Sequence, residues 1–304
     1  MSMFKKAQRK KVKIKLGITG PSGSGKTYSA LEIATGLGGK IAVIDTENGS
    51  ASLYSDRFEF DTLELRAPFT TEKYIEAIND AVKANYDVLI IDSLSHAWNG
   101  EGGILDRKGA MDSRGGNSFT NWAKFTPEQE KFISALLHSD IHLIAAIRSK
   151  QDYVLTDNGK GKSAPQKVGL APVQREGMEY ELSVVFDVAM NHEAQTSKDR
   201  TGLFVDKIFK ITQETGKQIK AWLDSGSDVK AELRNEIEQE LKGKPDDYVA
   251  NVKKFISGKS VTEDQLQISL SKVKAYVAPA NPVNELKAAS DSFTEKMAQQ
   301  GAVK

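Results

Sequence analysis

The stretch Gly20-Pro21-Ser22-Gly23-Ser24-Gly25-Lys26-Thr27 spells G-x-x-x-x-G-K-T between a strand-like and a helix-like segment. Those residue types at that spacing bind phosphate. Gly23 and Gly25 let backbone N–H groups turn inward around an anion, and the helix starting near Lys26 adds the positive end of its dipole. Lys26 would reach the β and γ phosphates of a nucleotide, and Thr27 would offer its hydroxyl to Mg²⁺. Gly20 to Thr27, with Tyr28 next in line, are the candidate nucleotide-binding residues.

A second element is "YDVLIIDSLSHAW", whose apolar run ends at Asp92. A carboxylate at the end of a buried strand is a usual holder of the Mg²⁺ that bridges nucleotide phosphates. Many ATPases follow this aspartate with a glutamate that orients the attacking water, but here the next residue is Ser93. The carboxylate that orients water must come from elsewhere, or hydrolysis is absent. "KIAVIDTENGSASLY" supplies candidates, an apolar strand ending in Asp45, Thr46 and Glu47.

Strand-like and helix-like segments alternate around these residues. "VKIKLGI" has period two, and Leu31, Ile33, Ala34 and Leu37 recur at helical spacing. The order continues with strand "KIAVID", helix "TEKYIEAINDAVKAN", strand "DVLIID", a helix from Pro127 and strand "IHLIAAIR". Thr126 as N-cap, Pro127 in the first turn and Gln129 completing a capping box mark that helix start. The alternation implies an α/β fold with a mainly parallel sheet. "ELSVVFDVAM" and "LFVDKIFKI" then follow as strand candidates with no helix between them, suggesting an antiparallel extension. Past Asp224 the composition turns to charged helical segments. The expected division is a basic segment over 1–11, an ATPase core over 12–223, and a small helical region with a polar tail over 224–304.

Composition bounds the function. The chain has no cysteine, which excludes disulfides and thiolate zinc sites and suits a reducing cytoplasm. No apolar run is long enough to span a bilayer, so no membrane partner is expected. The basic start "MSMFKKAQRKK" lacks the apolar stretch of a secretory signal and is kept as mature protein. Net charge is only +1, so affinity for nucleic acid would need local clusters. The segment from Arg148 to Gly177 is such a cluster, a basic, glycine-rich loop at the carboxyl end of a strand and long enough to imply function. Arg148, Lys150, Lys160, Lys162, Lys167 and Arg175 would track a phosphate backbone, and Tyr153 would stack on a base. His96 and His142 lack flanking ligands at metal spacing and read as structural.

Together "GPSGSGKT", "VIDTE", "LIIDS" and "IRSK" resemble the RecA-like recombination ATPases, in the same order and over most of Lys13 to Gly202. "DTENGSASLYSDRF", "DSLSHAWNGEGGILD", "VGLAPVQREGMEYE" and "SKDRTG" bring the chain closest to phage-encoded RecA-core ATPases of the AAA and single-strand-annealing groups. The resemblance implies a RecA-like P-loop NTPase core that uses ATP and Mg²⁺, with Glu47 as catalytic base, Asp92 as the Mg²⁺ carboxylate and Tyr54 stacked on adenine. It implies two DNA loops, the second at the Arg148 segment and the first, less closely matched, at "RKGAMDSRGGNSFTNW". Lys198 and Arg200 would act on ATP bound to a neighbouring subunit, making the protein a filament or ring that works on single-stranded DNA in phage recombination or annealing. A single-strand-binding protein is a further expected partner, and Phe4-Lys5-Lys6-Ala7 resembles a motif that docks onto the next subunit. Two departures stand out: Ala146 occupies the place of the glutamine that senses γ phosphate, which leaves Arg148 or Ser149 to substitute, and the lack of cysteine excludes RadA itself. Rival readings are a P-loop kinase of a small metabolite and a DNA-binding protein that ATP only switches.

Overall fold

The computed structural model describes residues 4, 6–115, 117–157, 163–175, 177–258 and 261–276, with the backbone alone between 151 and 170. The chain divides into two compact units, Val12–Ser225 and a second that joins Gly226 onward with the N-terminal residues to Lys11.

The first unit runs β1 (Lys15–Gly20), α1 (Lys26–Leu37), β2 (Ile41–Asp45), β3 (Asp61–Glu64), α2 (Thr71–Lys83), β4 (Val88–Asp92), α3 (Ser95–Asn99), α4 (Ile104–Ser113), α5 (Ser118–His138), β5 (His142–Asp157), β6 (Ser163–Pro172), α6 (Met178–Glu181), β7 (Val184–Val188), β8 (Ala194–Asp199) and α7 (Gln213–Asp224). Its sheet has the order β3-β2-β4-β5-β1-β7-β8, with β6 off this path and paired with β5. Every pairing from β3 to β7 along that order is parallel, and β8 adds to β7 antiparallel. The fold is therefore the mixed α/β fold of a P-loop NTPase core.

Period two explains how such apolar strands hold two helix layers. Leu16, Ile18, Val88, Ile90 and Ile144 face one layer with Leu31 and Ile33 of α1 and Ile219 and Leu223 of α7. Leu89, Ile91, Leu143, Ala145 and Ile147 face the other, with Tyr74 and Ile78 of α2 and Phe132 and Leu136 of α5. Helices α1 and α7 cross where both backbones lack a side chain. A Cβ on Gly36 would stand 2.1 Å from the Gln213 carbonyl oxygen, and one on Gly216 would stand 2.2 Å from that of Ile33.

Three expectations are corrected. The helix expected to begin at Pro127 begins at Ser118, with Asn117 accepting the Phe119 N–H at 2.8 Å as its cap. Thr126 lies inside it, bonding back to the Trp122 carbonyl at 3.1 Å, and Gln129 is buried rather than capping. The antiparallel strand is Ala194–Asp199, not "LFVDKIFKI". Residues 203–211 pair through a single bridge, Ala194 with Phe209, and use their apolar residues as a cover: Phe204 and Phe209 stack on each other and meet Phe186 of β7 edge-on, with ring centres 5.2 and 5.9 Å from it. The basic segment after Arg148 is a β-hairpin, β5–β6, whose register shifts at Asp152/Tyr153.

The second unit packs α8 (Val229–Glu240), α9 (Asp246–Ile256) and α10 (Glu263–Lys274) around Ile237, Val252, Ile256, Leu266 and Val273. Asp228 caps α8 through the Ala231 N–H, and Thr262 with Gln265 forms a capping box on α10. The N-terminal residues join this unit, Ser227 N–H donating to the Arg9 carbonyl at 2.8 Å and Lys10 pairing with Glu263 at 2.7 Å. Phe4 is 90% exposed.

Candidate nucleotide site

The end of β1 and the start of α1 are joined by a turn only glycine makes cheaply. Gly23 has φ +79° and Gly25 φ +88°, and Gly25 stands at the helix N-terminus with no side-chain cap. The first N–H groups of α1 therefore have no partner from a capping side chain, as an anion site requires. Lys26 is buried and donates to the Pro21 carbonyl at 2.8 Å, closing the loop on itself. Burial lowers its pKa, an effect that Asp92 and then Glu47 oppose.

Beside the loop lies a cavity of about 730 Å³, lined by Ser22, Gly23 and Gly25 to Ser29 on the loop and helix, and by Glu47, Tyr54, Asp92, Arg148, Ser149, His192, Lys210 and Ile211 from elsewhere in the chain. That size falls within the range of sites for nucleotide-sized molecules. Thr27 Oγ1 donates to Asp92 Oδ2 at 2.5 Å. Asp92 is 1% exposed, and burial raises its pKa to about 6, with the Thr27 bond opposing. A cation would reverse that cost. A hydroxyl and a carboxylate are hard oxygen donors suited to Mg²⁺, which keeps waters and shares itself with phosphates. Among the described residues no group of three or more His, Cys, Asp and Glu side chains could hold a metal without such sharing.

The two acidic candidates after β2 separate cleanly. Asp45 is buried and spent on its own loop, accepting the Glu47 N–H at 2.6 Å and the Ala51 N–H at 2.8 Å. Glu47, which that loop presents, reaches the cavity. Its Oε1 takes both Nε and Nη2 of Arg148, at 2.9 and 2.8 Å. Thr46 ties β2 to β4, its N–H donating to the Asp92 carbonyl at 2.7 Å and its hydroxyl lying 2.6 Å from His96 Nδ1. His96 stacks on Phe69, and His142 Nδ1 accepts the Ile14 N–H at 3.2 Å.

Tyr54 is half-buried and lines the cavity, edge-on to Tyr28, which in turn meets Phe58. Ala146 lies buried between Ile18 and Asp92 in register and brings no polar group. Sequence reasoning missed His192, Lys210 and Ile211, which line the cavity from the β7–β8 turn and the segment after β8. His192 holds φ +64° and sets Nδ1 3.0 Å from the Ser24 carbonyl, bracing the phosphate loop from outside. Its one sequence signal is position, at the carboxyl end of the strand beside β1.

The remaining candidates scatter. Lys198 donates to the Glu179 carbonyl at 3.0 Å and also to that of Tyr180, and Arg200 Nη2 donates to Tyr180 at 3.1 Å. Because Asp199 pairs with Val184 and Val184 with Leu16, both cations stand at the end of the sheet away from Gly20. Lys150 is exposed at the hairpin root, and Arg175 is half-buried just past β6. Tyr153 and Lys167 pair with each other across the hairpin, their side chains lying outside the described residues, as do Lys160 and Lys162 altogether. The segment expected as a first DNA loop is ordered as α4 and the start of α5, with Lys108 bonded to Asp112 and lying over Trp122.

No described helix is long and apolar enough to cross a membrane. Residues 12–239 match a family model described as an AAA domain. A comparison with curated proteins finds no match to this sequence.

Proposed function

The chain belongs to the AAA-domain family of P-loop NTPases, and on that footing we propose that it is a RecA-like, Mg²⁺-dependent ATPase that acts on single-stranded DNA in phage recombination or annealing. One observation carries the ATPase reading: Glu47 opens onto the same cavity as Lys26 and the Thr27–Asp92 pair, while Ser93 holds no carboxylate. Glu47 would orient the attacking water and accept its proton, a role worth roughly 10²- to 10⁴-fold in rate. Lys26 would hold charge on the β and γ oxygens, and Thr27 with Asp92 would hold the cation. Mg²⁺, when bound, neutralises charge developing on the transferred phosphoryl oxygens. Tyr54, Tyr28 and Ile211 line the cavity and would offer apolar surface for a base.

The catalytic set is completed from a neighbour in this reading. Lys198 and Arg200 stand at the opposite end of the sheet from the cavity, so one subunit presents them to the next only in a head-to-tail assembly, which gives a ring or a filament. A trans cation of this kind is worth roughly 10³ to 10⁵ in rate. The β5–β6 hairpin, with Lys150 at its root, is the element proposed to contact DNA.

The test is the ATPase rate with and without single-stranded DNA, at several protein concentrations. Stimulation by DNA and a specific activity rising with concentration are expected. Stimulation by a small metabolite with no effect of DNA would give the site to a kinase instead.

A further inference from the structure

The turn that joins β7 to β8 is tied within itself. The Ala189 N–H donates to the Glu193 carbonyl and the His192 N–H to that of Ala189, each at 2.9 Å, while Asn191 Nδ2 donates to Glu193 Oε2 at 2.7 Å. Inside this closed turn His192 holds φ +64°. A left-handed conformation is uncommon at a residue other than glycine, and such positions concentrate at binding and catalytic sites. Two side chains of the turn reach the phosphate loop: a Cβ on Gly23 would meet Met190 Cε at 3.7 Å, and one on Gly25 would meet His192 Nδ1 at 3.2 Å.

The two nitrogens of the His192 ring are in different company. Nδ1 lies 3.0 Å from the Ser24 carbonyl oxygen, which can only accept, so Nδ1 carries the hydrogen and donates it. The bond made by one ring nitrogen sets the role of the other. In the neutral ring Nε2 is therefore an acceptor, and among the described residues it has no partner. The same ring lines the cavity, together with Lys210 and Ile211. The carboxylates of that lining are already engaged, Asp92 with Thr27 and Glu47 with Arg148. A phosphate offers Nε2 nothing, because its oxygens also accept, and the loop N–H groups with Lys26 are there to meet them. The nucleoside half of a nucleotide is different, since its ribose hydroxyls and the amino group of adenine each have a hydrogen to give.

Building on the nucleotide reading, we propose that His192 reads the nucleoside half of the ligand, its Nε2 accepting a hydrogen from a ribose hydroxyl or from the amino group of the base. One ring then joins two kinds of recognition. Nδ1 holds the loop that grips the phosphates, and Nε2 holds the sugar or the base. A phosphate chain without a nucleoside gains only the first of these.

Equilibrium binding to the full chain tests this with ADP, 2′-deoxy-ADP, 3′-deoxy-ADP and purine riboside diphosphate, which lacks the amino group, and with inorganic pyrophosphate as a probe of the phosphate loop alone. Diphosphates keep hydrolysis out of the measurement. The parent is expected to prefer ADP over one of the three analogues by about fivefold, the weight of one hydrogen bond, and the analogue that suffers tells whether sugar or base is read. His192→Asn, which tolerates the left-handed conformation and keeps a donor for the Ser24 carbonyl, should erase that preference and leave pyrophosphate affinity unchanged. His192→Gly should erase it and weaken pyrophosphate as well. Equal affinity of the parent for ADP and all three analogues overturns the inference while leaving the nucleotide site standing, as does a preference that survives in either variant. Loss of ADP and pyrophosphate by the same factor in His192→Asn also overturns it, because the ring then serves only to hold the loop. A parent that binds neither ADP nor pyrophosphate overturns the nucleotide reading and this inference with it.

Discussion

Replacing Glu47 by glutamine should separate binding from turnover, and in a direction an ordinary loss of function does not take. The change keeps the shape of the side chain and removes the charge. Two effects follow from the geometry. First, the loop itself should survive, because it is held by Asp45 through the Glu47 and Ala51 N–H groups and by Thr46, none of which uses the Glu47 side chain. Second, the Arg148 guanidinium loses its carboxylate partner at 2.8 Å. A pair exposed to this degree is worth about 0 to 1 kcal/mol, so a triphosphate that must otherwise displace Glu47 gains up to about fivefold in affinity. Turnover should fall by roughly 10²-fold or more if the glutamate is the base. Single-turnover hydrolysis with excess protein gives the chemical step, and titration with a slowly hydrolysed analogue gives the affinity. Hydrolysis at the parental rate refutes Glu47 as base. A weaker affinity for the triphosphate refutes the competition between carboxylate and phosphate for Arg148.

Two further predictions concern the scaffold. Gly216→Ala places a methyl about where the Ile33 carbonyl oxygen already sits, at 2.2 Å, so α1 and α7 must separate; overpacking of about 1 to 3 kcal/mol outweighs a helix-propensity gain of up to about 1 kcal/mol, and a thermal midpoint at or above the parent's would show that the crossing is not tight. His142 is buried, and burial pushes its pKa down to about 4 from 6.5, so the unfolded chain binds the extra proton between those values. Stability present above pH 6.5 should drain away as pH falls toward 4, by about 2 kcal/mol at pH 5; comparing urea midpoints at pH 7 and 5 for the parent and His142→Gln checks it, since a variant that loses as much as the parent removes His142 as the cause.

Residues close in sequence carried what the sequence determined. The phosphate loop is legible because its work is done by eight consecutive residues, Gly20 to Thr27, two of which, Gly23 and Gly25, hold the positive φ that only glycine makes cheap. The parallel sheet is legible because strands buried on both faces must be apolar throughout and must be joined by helices. Asp92 could be singled out as the point where an apolar run stops at a carboxylate. Tertiary structure decided the rest, for three different physical reasons. "LFVDKIFKI" alternates like a strand, but its phenylalanines pack edge-on against Phe186 while its backbone makes a single bridge, and alternation alone does not distinguish those uses. Thr126 and Pro127 carry the residue types of a helix start, yet upstream residues continue the helix through them, because the cap that matters is Asn117. Asp45 and Glu47 are both acidic residues at the end of one strand. Only the fold, by burying one against the N–H groups of its own loop and opening the other onto Arg148, which comes 101 residues later, decides which carboxylate faces the cavity.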